Sequence, residues 1–145
     1  MKIVIGCDHG GYEKKAKLVE FLKAKGYEII DVGCNSKESC NYAEFGIKAA
    51  EVVSQKKCDY GVLICTSGEG ISIAANKVKN VMCGICYNKK TASLLRTHNN
   101  ANMIAFGAKF TSLRAMKKRT LIFLTTNFEG GRHEKRVNTI LNYKN

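Results

Sequence analysis

Short apolar, β-branched runs alternate along the chain with longer stretches in which apolar residues recur every three or four positions. The runs predict strands at Lys2–Gly6, Tyr27–Val32, Tyr60–Cys65, Val81–Cys86 and Ala101–Phe106. Between them, Leu18 and Leu22 stand four apart, as do Ala49 and Val53, so each intervening segment can turn one apolar stripe toward a sheet. Gly26 fits a helix stop, and Gly33 falls where the second strand needs a turn. Strands alternating with helices of crossover length predict a doubly wound α/β fold: a Rossmann-like three-layer sandwich around a five-stranded parallel sheet. The i, i+4 spacing of Arg132 and Arg136 places both guanidiniums on one face of a C-terminal helix, an arrangement suited to a phosphate.

Ligands of such sheets collect beyond the carboxyl ends of the strands, where strand order reverses. Three segments become candidates: Cys7-Asp8-His9-Gly10-Gly11, Cys65 with the turn after it, and Arg96-Thr97-His98-Asn99-Asn100, reached from the fourth strand through Tyr87 and a helix. All three are expected to converge on one crevice.

Composition narrows the picture. At 145 residues, with no Pro-rich or Ser-rich linker and no repeat, residues 1–145 are expected to form a single domain. The apolar runs are too short to span a bilayer, and Met1-Lys2-Ile3-Val4-Ile5 passes straight into Cys7-Asp8-His9 without the extended apolar core of an export signal. Seven cysteines then read as reduced thiols of a cytoplasmic protein. The net charge of +12 implies attraction to anions. Lys14, Lys15, Lys17, Lys23, Lys25, Lys117 and Lys118 fall on helices among polar neighbours and read as a solvated face. Aromatic and basic residues do not interleave as in an RNA-binding platform, and zinc-finger spacing is missing, so nucleic acid is not the expected partner.

The run from Leu63 to Lys77 carries the most chemistry. An apolar strand ends at Cys65, and Thr66-Ser67-Gly68-Glu69-Gly70 turns into a helix. Unpaired amides at a helix start favour both a thiolate and a bound oxyanion. Known glycine-loop signatures do not fit. A P-loop requires Lys after its second glycine, whereas Gly70 is followed by Ile71; the dinucleotide fingerprint requires a third small residue where Ile73 stands. Cys83-Gly84-Ile85-Cys86 has the C-x-x-C form, but residues three apart on a strand point to opposite faces and cannot share a metal. Cys7, Cys34, Cys40 and Cys58 lack paired spacing and read as structural. The three histidines, His9, His98 and His133, all fall in segments expected near a ligand.

Asp8-His9-Gly10-Gly11-Tyr12, Ile64 to Lys77, His98-Asn99-Asn100-Ala101-Asn102 and Phe128-Glu129-Gly130-Gly131-Arg132-His133 occur in order over nearly the whole chain. Together they resemble the ribose-5-phosphate isomerase B family, which includes galactose-6-phosphate isomerase subunits. The resemblance implies an aldose-ketose isomerase acting on ribose 5-phosphate and ribulose 5-phosphate, with no metal and no cofactor. It implies Cys65 as the carbon base, His98 as the acid/base that opens the ring, and Asp8 as its assistant. Amides from Thr66 through Ser67, Gly68 and Glu69 to Gly70 would hold the enediolate, aided by the Ser67 hydroxyl and Asn99. His9, Arg132 and Arg136 match phosphate ligands, and Lys109 matches a basic substrate contact. The family builds its sites from two subunits, so the resemblance also implies a homodimer with shared sites, a tetramer being the larger alternative.

The chain departs from the family pattern at Thr66-Ser67, where Gly-Thr is usual, and at Glu69, Tyr87 and Asn100. A carboxylate beside an anion hole opposes a thiolate, so the Glu69 side chain is expected to face solvent. Members that use a glutamate base carry it where Ile71 stands here. Two other readings stay open: an isomerase of six-carbon phosphosugars such as allose or galactose 6-phosphate, and a binding module for phosphosugar or nucleic acid without catalysis.

Overall fold

A computed structural model describes residues 1–143; Lys144 and Asn145, the end of the expected domain, lie outside the described residues. Five parallel strands form one sheet: β1 (Lys2–Cys7), β2 (Glu28–Asp31), β3 (Tyr60–Cys65), β4 (Cys83–Ile85) and β5 (Met103–Gly107), in the order β2-β1-β3-β5-β4. The order reverses between β1 and β3, and Cys7 pairs with Ile64 there while Cys65 pairs with Gly107 of β5.

Side-chain alternation along the strands divides the core into two layers. Ile3, Ile5, Val62, Ile64, Ile104 and Phe106 meet Leu18 and Leu22 of α1 (Tyr12–Ala24), Ala92 of α4 (Lys89–Thr97), and Met116 and Phe123 of α5 (Leu113–Thr125). Val4, Leu63, Cys65, Met103 and Ala105 meet Ala49, Ala50 and Val53 of α2 (Tyr42–Ser54), and Ile71 and Ala75 of α3 (Glu69–Ala75). These helices cover both faces, as the predicted three-layer sandwich requires. Cys83 packs into one layer and Cys86 into the other, so the C-x-x-C thiols lie on opposite sides of the sheet. Among the described residues, no helix is long and apolar enough to cross a membrane.

The strands differ from expectation at their ends. β5 begins at Met103 rather than Ala101, because Asn100 turns with φ 47° and the Ala101 amide donates to the Leu95 carbonyl, closing α4. β2 and β4 are shorter than predicted at both ends, since apolar character continues past the residues that pair in the ladder. The C-terminal helix α6 spans Glu134–Leu141, and Arg132 lies in the 3-10 turn Gly131–His133 before it. The two arginines thus do not share one helix; the Arg136 guanidinium instead donates to the Arg132 carbonyl at 2.7 Å.

Two lysines expected on a solvated face are structural. Lys15 is buried and donates to Asp31 at 2.8 Å, tying α1 to the end of β2. Lys14 donates to the carbonyls of Ala108 at 2.5 Å and Thr111 at 2.7 Å, tying α1 to the segment after β5. Each supplies its ammonium with an oxygen partner that water would otherwise provide.

Candidate functional site

Two strand ends build the crevice at the reversal of strand order. After β1, the chain turns through Asp8 to Gly11. The buried Asp8 carboxylate accepts the Gly11 amide at 3.0 Å, while the Asp8 amide donates to Ile64 of β3. Gly11 lies so near β3 that a Cβ on it would stand 2.4 Å from the Ile64 carbonyl oxygen, which explains a glycine there. The His9 Nδ1 accepts the Cys40 amide at 3.3 Å, so the ring proton resides on Nε2, free to donate to an anion.

After β3, Cys65 sits at the floor, 3% exposed. Gly68 adopts φ 87°, a left-handed conformation that folds its amide back to donate to the Cys65 Sγ at 3.0 Å. The Ser67 Oγ accepts the Glu69 amide at 3.3 Å, and the Glu69 side chain is exposed, as expected. The turn is pinned from below, because Ala108 and Lys109 donate their amides to the carbonyls of Cys65 and Thr66. A cleft of about 350 Å³ opens beside it, lined by His9, Gly10, Lys14, Lys37, Thr66 and Lys109. Lys14 is committed to carbonyls and Lys37 to Glu13, so the His9 imidazole and the Lys109 ammonium join the Thr66 hydroxyl as donors of this cleft toward an anion.

The remaining candidates lie elsewhere. α4 returns antiparallel to the strands, so its C-cap, His98, lies at their amino ends. The neighbouring Arg96 guanidinium stacks 4.8 Å over the ring of Tyr60, the first residue of β3, whereas Cys65 is the last. Five residue steps along a strand amount to about 16 Å. The expected convergence of all three segments in one crevice is therefore wrong within a chain. Asp8, His9, Cys65, Thr66, Ser67, Gly68, Glu69, Gly70 and Lys109 gather at the carboxyl edge, and His98 and Asn99 lie at the opposite one.

That second group has its own structure. The His98 and His133 rings stack with centroids 4.1 Å apart and an angle of 13°, bringing Arg132 and Arg136 alongside. The Glu129 Oε2 is 3.9 Å from the Nε2 of each histidine, and the Glu129 amide donates to Thr97 at the end of α4. Partial removal from water, then repulsion from His98, Arg132 and Arg136, holds His133 below the ordinary imidazole range against the opposing pull of Glu129. Two side chains at these sites escaped sequence reasoning. Glu129 lies inside a recognised motif, but its spacing assigns it no role. The Tyr42 ring lies over Gly70, so close that a Cβ there would meet it at 2.5 Å; nothing in the sequence links the two positions.

Comparison with known proteins agrees with this architecture. A family model described as Ribose/Galactose Isomerase matches residues 3–140. Ribose-5-phosphate isomerase B of Escherichia coli K12 is 40% identical over 139 residues, covering 96% of this chain and 93% of that protein. The structure of Clostridium thermocellum ribose-5-phosphate isomerase B superposes with a TM-score of 0.96 at 45% identity, covering 97% of this chain and 95% of the other. Mycoplasma genitalium ribose-5-phosphate isomerase B, solved with bound ribulose-5-phosphate, gives a TM-score of 0.94 at 38% identity, covering 98% and 95%. The match of model, sequence and fold over essentially the whole described chain makes this protein a member of the ribose/galactose isomerase family.

Proposed function

We propose that the protein interconverts ribose 5-phosphate and ribulose 5-phosphate through a cis-enediolate, with Cys65 as the carbon base. The observation that carries this reading is the Gly68 amide donating to the Cys65 Sγ at 3.0 Å, at the end of a strand where the fold collects its ligands. Proton removal beside a carbonyl needs a base and a place for the developing oxyanion. A thiolate on Cys65 takes the proton from C2 of the open-chain aldose, and the amides of the 66–70 turn, with the Ser67 hydroxyl, bind the enediolate oxygen. Return of that proton to C1, with transfer of the O2 hydroxyl proton to O1 in the enediolate, yields the ketose. His9 and Lys109 add positive character to the adjoining cleft.

Ring opening requires a second acid/base, and His98 has the right chemistry but lies at the far edge of its own sheet. The reading therefore includes a homodimer in which one protomer brings His98, Asn99, Arg132 and Arg136 to the Cys65 crevice of its partner. Support comes from the two half-sites themselves: one holds a base and amide donors, the other an imidazole pair and two guanidiniums. The phosphate of the substrate meets His9 on one side and the arginines on the other.

The test is incubation with ribose 5-phosphate in deuterated water under EDTA, following ketose yield and deuterium at C1 and C2, beside parallel reactions with allose and galactose 6-phosphates. Formation of ribulose 5-phosphate at the highest rate confirms the reading. Faster turnover of a six-carbon substrate, or none of any, refutes it.

A further inference from the structure

We propose that His98, Glu129 and His133 form a binding site for a d-block divalent cation, with Zn2+ as the strongest physiological ligand, and that its occupation halts turnover. The ligand atoms, one from each side chain, lie within 4.8 Å of one another. The Glu129 Oε2 stands 3.9 Å from each imidazole Nε2. Zinc bonds of about 2.0–2.2 Å at tetrahedral angles put ligand atoms roughly 3.4 Å apart, so the trio needs to contract by about half an ångström on its carboxylate edges and by up to about 1.4 Å between the two imidazole nitrogens. Binding therefore requires the two rings to open from their 13° stack until their in-plane nitrogen lone pairs converge, and the Glu129 carboxylate to turn toward them. Glu129 is free to turn, since its side chain is 59% exposed.

The backbone brings the three together before any ion arrives. The Glu129 amide donates to the Thr97 carbonyl at 3.1 Å, docking the segment against the residue that precedes His98. Gly130 and Gly131 follow with φ 69° and 55°, and the His133 amide donates to Gly130, returning the chain so that His133 covers His98. Chemistry selects the ion. Two imidazoles and one carboxylate suit zinc, copper or nickel, whereas magnesium and calcium require more oxygen ligands. The neighbouring Arg132 and Arg136 and the net charge of +12 repel a cation held by charge alone, which leaves ions that bind nitrogen strongly. Coordination engages the His98 Nε2, so the imidazole can no longer exchange a proton with the sugar ring.

Metal binding stands on the geometry; the inhibition rests on the role proposed above for His98. Full-length protein stripped with chelator is titrated with Zn2+ against a chromophoric indicator, with Glu129→Gln and His133→Gln in parallel and Cys34→Ser as a control for thiol binding. Wild type and Cys34→Ser are expected to retain one tight equivalent that each ligand variant binds at least about tenfold more weakly, given that even outer-shell substitutions cost 10–100-fold. Zn2+ is expected to inhibit isomerisation reversibly with EDTA, and Mg2+ to have no effect. Unchanged zinc binding in both ligand variants, or its loss only in Cys34→Ser, overturns the site. Zinc binding that both ligand variants weaken, without inhibition of an active enzyme, overturns the inhibitory role. The same binding in a protein that turns over no phosphosugar upholds the metal site while refuting the isomerase reading.

Discussion

Gly68→Ala probes the link between backbone conformation and chemistry. At φ 87° a side chain incurs a left-handed penalty of about 1–2 kcal/mol. The new Cβ would also lie 2.8 Å from the Gly107 amide nitrogen and the Phe106 carbonyl carbon, backbone atoms at the end of β5 that cannot yield without disturbing the sheet. Overpacking of that kind costs about 1–3 kcal/mol. The variant is expected to lose roughly 2–5 kcal/mol of stability in urea denaturation, the sum of these two contributions. Any relief of the clash rotates the Gly68 amide away from the Cys65 sulfur and opens the turn proposed to hold the enediolate. Loss of one such donor lowers kcat about 10²–10³-fold, so isomerase assays on the folded fraction are expected to show at least the lower figure. A denaturation midpoint equal to wild type, with turnover within about threefold, under 1 kcal/mol on the barrier, would refute the reasoning.

Asn88 and Thr91 form a reciprocal capping box at the start of α4, so Asn88→Ala is expected to lose about 1 kcal/mol in urea denaturation with little change in KM. Burial pushes the Cys83 thiol up to about 12 and raises Cys7 as well, through burial and the neighbouring Cys34. A raised thiol pKa depletes the reactive thiolate below it, so mass-mapped alkylation at pH 8 is expected to leave Cys7 and Cys83 unmodified in the folded protein, and to label both after unfolding. Arg132→Ala is expected to raise KM for ribose 5-phosphate more than it lowers kcat, by roughly 10–100-fold for loss of a charge-assisted phosphate contact.

Much of the layering was legible because burial on both faces leaves a plain signature: β3 reads Tyr60-Gly61-Val62-Leu63-Ile64-Cys65 without a polar break, and it forms over those residues. The ends of β2 and β4 were less legible, because apolar residues such as Val32 and Val81 continue beyond the residues that pair. On the carboxyl edge, Cys65 and its glycine turn were legible because they are contiguous in sequence, and Asp8 and His9 because they follow the first strand, whereas Lys109 entered only through the family resemblance. His98 misled for a topological reason. Its motif follows a strand end by a dozen residues, but α4 carries the chain back, its nine residues rising about 13 Å, to the other edge. Lys15 reads as one more solvated lysine because its partner Asp31 belongs to another element. Tyr42 and Glu129 gained meaning only from neighbours distant in sequence, Gly70 for one and the histidine pair for the other.

The central claim, a Cys65 base completed by the partner's acid/base, is tested most directly by complementation between two inactive variants, Cys65→Ala and His98→Gln. Each alone is expected to bind phosphosugar and fail to isomerise ribose 5-phosphate. Random reassociation of the two makes half of the dimers mixed, each with one intact site, so the mixture is expected to recover about a quarter of wild-type turnover. A mixture as inactive as its parents, or a Cys65→Ala protein that isomerises unaided, would contradict the account.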